Sequence, residues 1–214
     1  MKYKGIVFDL DGTIIDSETG IAKAFQKALA TKGMTDSLEN IKSLIGPPLS
    51  RTIITKYGFS EKEGAEAMKE HKKYYISKGL FESSIYEGVK ELLETLMDKN
   101  IVMMIATNKP ETYAVTQMEH YGLSKYFHSI VGNDIPQKRG TKKDFIMEAI
   151  ESAGIRAEDA VMVGDRNIDL EAAKEIGMDT IGVLYGYGSK EEIEGCMPTH
   201  LIDAPLEILG IVLG

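Results

Sequence analysis

Apolar residues in this chain come in two textures. Short, largely apolar runs occupy residues 5–10, 101–106, 130–131, 160–164, 180–183 and 201–202, and such runs with β-branched members read as buried strands. Between most of them the apolar positions fall three or four apart, as on one face of an amphipathic helix. Val89, Leu92, Leu93, Leu96 and Met97 form one such stripe. Pro110 and Gly122 bracket another, the proline suited to a first helical turn and the glycine to a stop. Thr141 offers a cap for a helix over 142–153, which Gly154 ends. A further helix covers 170–176, and a last one follows the final strand. Strands alternating with helices predict a doubly covered parallel sheet.

One stretch breaks this rhythm. Ile21, Phe25 and Leu29 recur at four-residue spacing among Ala22, Ala24 and Ala28, and Leu38, Ile41, Leu44 and Ile45 repeat the theme. Gly46-Pro47-Pro48 interrupts it, and Ala65, Met68, Tyr74 and Tyr75 resume it as far as Gly79. A helical stretch over 16–82 is too long for a crossover connection. It predicts an α-helical subdomain inserted just after the first strand of an α/β core made of 1–15 and 83–214, its two ends close in space.

Composition agrees with that division and narrows the function. The chain has 214 residues, 43% hydrophobic and 27% charged, the balance of an ordinary folded domain. No apolar run approaches the ~20 residues of a membrane span, and Asp9 interrupts the first run before a signal h-region could form. Twenty-five basic residues against 33 acidic ones leave a net charge of −8, which argues against wrapping a polyanion such as nucleic acid. A small anionic substrate stays open if a local cation receives it. Cys196, the single cysteine, allows neither an internal disulfide nor a cysteine-rich zinc site, so a cytoplasmic protein is expected. His71, His120, His128 and His200 are scattered without metal-ligand spacing and read as surface or core residues.

In open parallel sheets ligands bind beyond the carboxyl ends of the strands, so the residues just after the apolar runs carry the information. The first run delivers Asp9 and Asp11, the second Thr107 and Asn108, and a later one Asp165 and Asp169. Lys138, Arg139, Lys142 and Lys143 follow the run at 130–131. Taken singly, each has an ordinary reading. Asp11-Gly12 suits a turn, Asp165 to Asp169 a helix N-terminus, and Thr107 a cap. Together they differ, because four carboxylates in one crevice repel one another, by about 4 kcal/mol per pair ~4 Å apart at an effective dielectric near 20. Such a cluster wants a cation. Oxygen ligands without His or Cys suit a hard ion, and Mg²⁺ fits, commonly with a phosphate as a further ligand. An EF-hand is excluded by the lack of glycine at the sixth and glutamate at the twelfth position, and no Gly-x-Gly-x-x-Gly opens a helix.

The order Asp9-Leu10-Asp11-Gly12-Thr13, then Thr107, then a lysine, then Gly164-Asp165-Arg166-Asn167-Ile168-Asp169 closely resembles the haloacid dehalogenase superfamily of phosphotransferases, across essentially the whole chain. The resemblance implies a Rossmann-like α/β core with an α-helical cap, here 16–82. Gly46-Pro47-Pro48-Leu49 and Lys78-Gly79-Leu80-Phe81 look like the phosphoglycolate phosphatase-like branch. By this resemblance Asp9 is the nucleophile that forms an aspartyl phosphate, and Asp11 protonates the leaving alkoxide and later takes a proton from water. Thr107, the Asn108 amide and a lysine hold the phosphate. Asp9, the Asp11 carbonyl and Asp165 hold Mg²⁺, with Asp169 steadying the site. Many relatives carry the lysine in a Lys-Pro-x-Pro context absent here, so Lys138, Lys142 and Lys143 compete. Thr141-Lys142-Lys143-Asp144-Phe145-Ile146 looks like the equivalent helix start, which favours Lys142 and puts Lys143 second. In the cap, Pro47, Pro48 and Arg51 are candidates to face substrate.

The expectation is a Mg²⁺-dependent phosphatase acting on small phosphorylated metabolites (phosphoglycolate-like, nucleotide or sugar phosphates), a monomer or homodimer with no nucleic-acid or membrane partner. A β-phosphoglucomutase-like phosphotransferase is the nearest competitor. A haloacid dehalogenase fits less well, because resembling enzymes lack an acid at the place of Asp11. A receiver-type signalling domain, which would keep its phospho-aspartate, fits poorly with a cap that dries the site.

Overall fold

A computed structural model describes residues 2–45, 49–134 and 138–214. The chain divides into two compact units, one of Met1–Ile15 with Ile85–Gly214 and one of Asp16–Ser84. In chain order the elements are β1 (Gly5–Phe8), β2 (Ile15–Asp16), α1 (Glu18–Ala30), α2 (Leu38–Lys42), α3 (Leu49–Thr55), α4 (Glu61–Ser77), β3 (Ser84–Ile85) and α5 (Val89–Asp98). There follow β4 (Val102–Pro110), α6 (Glu111–His120), β5 (Ser129–Asn133), α7 (Lys142–Ser152), β6 (Ala160–Gly164), α8 (Asn167–Glu175), β7 (Asp179–Val183), α9 (Lys190–Gly195), β8 (His200–Ile202) and α10 (Glu207–Leu213).

The first unit is built on a six-stranded sheet in the order β5-β4-β1-β6-β7-β8, parallel throughout. Alternation along the strands sorts the side chains into two cores. Ile6 and Phe8 of β1, with Met103, Ile105, Val161, Val163, Ile181 and Val183, face α5, α6 and α10. Val7, Met104, Ala106 and Met162 face the other way, against Phe145, Ile146, Ala149 and Ile150 of α7 and Ala172 and Ala173 of α8. The α/β class with helices on both faces is therefore the observed one.

Strand order also places the chemistry. The chain runs outward from β1 through β4 to β5, then returns to the opposite side of β1 for β6. The winding thus reverses at β1, where open α/β sheets leave a crevice at the strand ends. Phe8, the last residue of β1, registers with Ile105 on one side and Val163 on the other. The residues that follow these three positions consequently meet at one level.

The helical unit has its own core, in which Ala22, Phe25, Ala28 and Leu29 of α1 pack with Ile41, Ile53, Phe59 and Ala67. Ser60 and Glu63 form a reciprocal capping box at the start of α4, and Ser37 accepts the Asn40 N–H to open α2. The predicted break at Gly46-Pro47-Pro48 lies outside the described residues. Among the elements the sequence did not announce, β2 and β3 pair as a two-stranded ribbon where the chain leaves and re-enters the α/β unit. At two residues each, they are too short to show a period. Pro110 differs in detail, since it closes β4 and caps α6 from outside the first turn. Among the described residues no helix is long and apolar enough to cross a membrane.

Candidate active site

Asp9 follows β1 directly and extends its ladder, its N–H donating to the Val163 carbonyl at 2.9 Å. The chain then turns. Thr13, Ile14 and Ile15 all return their N–H groups to the Leu10 carbonyl, and Gly12 adopts a φ of +89° that favours glycine. A Cβ at Gly12 would also stand 2.1 Å from Asp165 Oδ2, so the turn and the carboxylate are fitted to each other.

Asp165 sits just past β6 and is fully buried. Its Oδ2 accepts the Tyr187 N–H at 2.8 Å and its Oδ1 the Thr13 hydroxyl at 3.3 Å. Asp169, one turn into α8, accepts the Arg166 N–H at 3.1 Å. Glu192 steadies that turn by accepting from Arg166 Nε at 2.8 Å and from the Asn167 N–H at 3.0 Å. Carboxylate oxygens of Asp9, Asp165 and Asp169 all lie within 4.8 Å of one another, and all three residues are buried.

The cation among them is Lys142. Thr141 and Asp144 make a capping box that sets the start of α7, and Lys142, its first residue, is buried with its Nζ against Asp9 Oδ1, 2.9 Å from Asp169 Oδ1 and 2.7 Å from the Ala106 carbonyl. Lys143 points elsewhere, pairing with Glu175 at 3.2 Å on the surface. Lys138 is exposed, its backbone N–H bonded to Asp134.

Burial pushes the Asp9 carboxyl up to about 7, with Asp169 and Asp11 adding to the shift and Lys142 opposing it. Asp165 is raised well above the carboxylate range by burial and by Asp9 and Asp169. Burial works against the Lys142 charge, yet Asp169 and Asp9 overcome it and raise its pKa. Three clustered carboxylates with one ammonium leave two negative charges unbalanced when all are ionised. Burial, with the neighbouring like charges adding to it, raises both carboxyls, and an oxygen-lined pocket of this valence fits a hard divalent cation.

Thr107 and Lys109 come from an irregular end of β4. The β4–β5 register advances four residues on β4, from Ala106 to Pro110, against two on β5, from Val131 to Asn133. This bulge buries Thr107 and Lys109 while Asn108 stays exposed. Thr107 Oγ1 accepts the Lys109 N–H at 3.2 Å. Lys109 Nζ donates to Asp11 Oδ1 and to Gln117 Oε1, each at 2.7 Å.

Of the four aspartates expected in one crevice, three thus share the cluster, and the Asp11 carboxylate lies with Lys109 instead. Sequence reasoning does not single out Lys109. Its signal was the i, i+2 spacing from Thr107, which in extended chain puts both side chains on one face.

Comparisons with known proteins find relatives along nearly the whole chain. A family model described as haloacid dehalogenase-like hydrolase matches residues 6–183. A 5'-nucleotidase from Pseudomonas aeruginosa is 36% identical over 94% of this chain and 91% of its own. A phosphoglycolate phosphatase from Vibrio parahaemolyticus is 31% identical over 98% and 96%. A phosphatase candidate of known crystal structure from Clostridium difficile superposes with a TM-score of 0.95 at 38% identity, covering 99% of both chains. The chain therefore belongs to the haloacid dehalogenase-like hydrolases, close to their phosphoglycolate phosphatase and 5'-nucleotidase branch.

Proposed function

We propose that this protein is a Mg²⁺-dependent phosphatase that hydrolyses small phosphate monoesters through an aspartyl phosphate on Asp9. The observation that carries the reading is the buried cluster of Asp9, Asp165 and Asp169 with Lys142 laid across Asp9 and Asp169 at the turning point of the sheet. Asp9, the Asp11 carbonyl and Asp165 hold the cation, and Asp169 keeps both the α8 turn and the lysine in place. When bound, Mg²⁺ supplies the missing positive charge beside the transferring phosphoryl group.

The remaining work belongs to the chain. Asp9 Oδ attacks phosphorus in line with the ester oxygen, and Lys142 favours the ionised nucleophile. The Thr107 hydroxyl and the Asn108 amide hold phosphoryl oxygens. Asp11 protonates the departing alkoxide and then takes the proton of the water that opens the aspartyl phosphate. The two named relatives suggest phosphoglycolate-like and nucleotide substrates, and sugar phosphates share the chemistry. The helical unit Asp16–Ser84 acts as the cap that selects among them, with Arg51 a candidate contact; Pro47 and Pro48 lie outside the described residues.

The test is hydrolysis of a panel of phosphorylated metabolites with Mg²⁺ or with chelator, in the native chain and in Asp9→Asn. Phosphate release that needs the metal and vanishes in a folded Asp9→Asn protein is the expected result. Turnover surviving in that variant refutes the nucleophile. Phosphorus NMR that finds isomerised ester instead of free phosphate replaces the phosphatase reading with a mutase.

A further inference from the structure

We propose that Lys109 is a positioning residue for Asp11, held in place by Gln117, and that the pair Lys109 and Gln117 aims the acid at the leaving oxygen. The inference rests on the role given to Asp11 in the preceding section. Lys109 is 3% exposed in its side chain, and its ammonium sits 2.7 Å from Asp11 Oδ1 and 2.7 Å from Gln117 Oε1. Gln117 is fully buried on α6, so the ammonium is fixed from behind by a rigid element. Asp11 keeps about a quarter of its side chain open to solvent. A carboxyl so placed would otherwise sample several rotamers. Anchoring Oδ1 fixes the plane of the group and with it the direction of Oδ2.

The bulge in β4 explains why one segment performs two tasks. It turns both Thr107 and Lys109 inward, and the Lys109 N–H bonds to the Thr107 hydroxyl oxygen at 3.2 Å. With that oxygen accepting, the hydroxyl hydrogen is the part directed at a phosphoryl oxygen. Phosphate contact and acid are thereby referenced to the same three residues of backbone. In the first half-reaction the Asp9 O–P bond forms while the bond from phosphorus to the ester oxygen breaks. The Asp11 O–H bond breaks as its proton passes to that oxygen, which leaves as an alcohol and Asp11 as a carboxylate.

This assignment makes a prediction that depends on the leaving group. An alkyl phosphate needs its departing oxygen protonated, and p-nitrophenyl phosphate does not. The quantity to compare is kcat/KM, which covers events only through phosphoenzyme formation. Lys109→Met is expected to lower it roughly 10- to 100-fold for an alkyl phosphate, the scale of a misplaced catalytic group, and less than about threefold for p-nitrophenyl phosphate. Gln117→Leu is expected to show the same selectivity at smaller amplitude, and Lys109→Arg partial recovery. In an Asp11→Asn background, Lys109→Met should add almost nothing. Equal losses on both substrates, no loss on either, or full additivity with Asp11→Asn would each overturn the proposal. Should Lys109→Met fail to fold, Gln117→Leu decides by the same criteria. An Asp11→Asn protein that does not discriminate between the substrates would instead remove the role given to Asp11, and so separates failure of the earlier reading from failure of this one.

Discussion

The two units of this protein handle buried polarity in opposite ways. The α/β unit buries Asp9, Asp165, Asp169, Lys109 and Lys142, and partners each of them through strand ends and helix starts. The helical unit buries mainly aliphatic and aromatic groups, and its one inward imidazole, His71, stacks on Tyr75 with Nε2 lacking a hydrogen-bond partner. Stability in the first unit is partly diverted into holding like charges together. In the second it rests mainly on the packing of apolar side chains. Function and stability should therefore respond in opposite directions when each unit is perturbed.

Asp9→Asn gives the sharpest contrast. It should lower phosphatase turnover by about 10⁴-fold or more. In metal-free protein it should also raise the melting temperature, because a buried like charge is removed. Steady-state kinetics and thermal melts on the same sample check both, and a lowered melting temperature would contradict the account of charge strain. Gly20→Val is the mirror case. A Cβ at Gly20 would lie 2.0 Å from the Gly79 carbonyl oxygen, backbone that cannot swing aside. A loss of about 1–3 kcal/mol or more is expected from such overpacking, read by urea unfolding, while labelling of Asp9 by a small phosphodonor persists in the folded fraction.

The smaller effects separate the units by pH. In the α/β unit, on the proposed metal assignment, protons would compete with Mg²⁺ for Asp9 and Asp165, whose carboxyls are both shifted upward. The Mg²⁺-induced rise in melting temperature should accordingly be greater near pH 8 than near pH 5.5; an equal rise would place the ion elsewhere. In the helical unit burial depresses His71 from its usual 6.5 to about 4. The unfolded chain then takes up its proton first, so stability is lost as pH falls through the window from about 6.5 to about 4. His71→Phe should remove this component, and melts at about pH 7.5 and about pH 5 should show the variant losing a few degrees less than the wild type.

How much of this was legible in the sequence follows from where the side chains sit. Asp9, Thr107, Asp165 and Asp169 stood out because each follows a continuous apolar run, and in a parallel sheet all runs end on the same side. The sheet itself was legible for the same reason. Lys109 was not, because a lysine before a proline at a strand end looks like a turn. The pairing of Asp11 with Lys109 was equally hidden, because it joins residues 98 apart in the chain. In the helical unit the heptad-like spacing exposed α1 and α4 but not α3, whose seven residues contribute a single buried side chain, Ile53.

The place of β1 between β4 and β6 has a consequence for how the molecule opens. Its amides are bonded into the middle of the sheet, so deuterium reaches them only when the whole α/β unit comes apart. The helical unit, with its smaller core, is free to fray at lower cost. A protease digest or a native-state exchange experiment would meet Asp9 last.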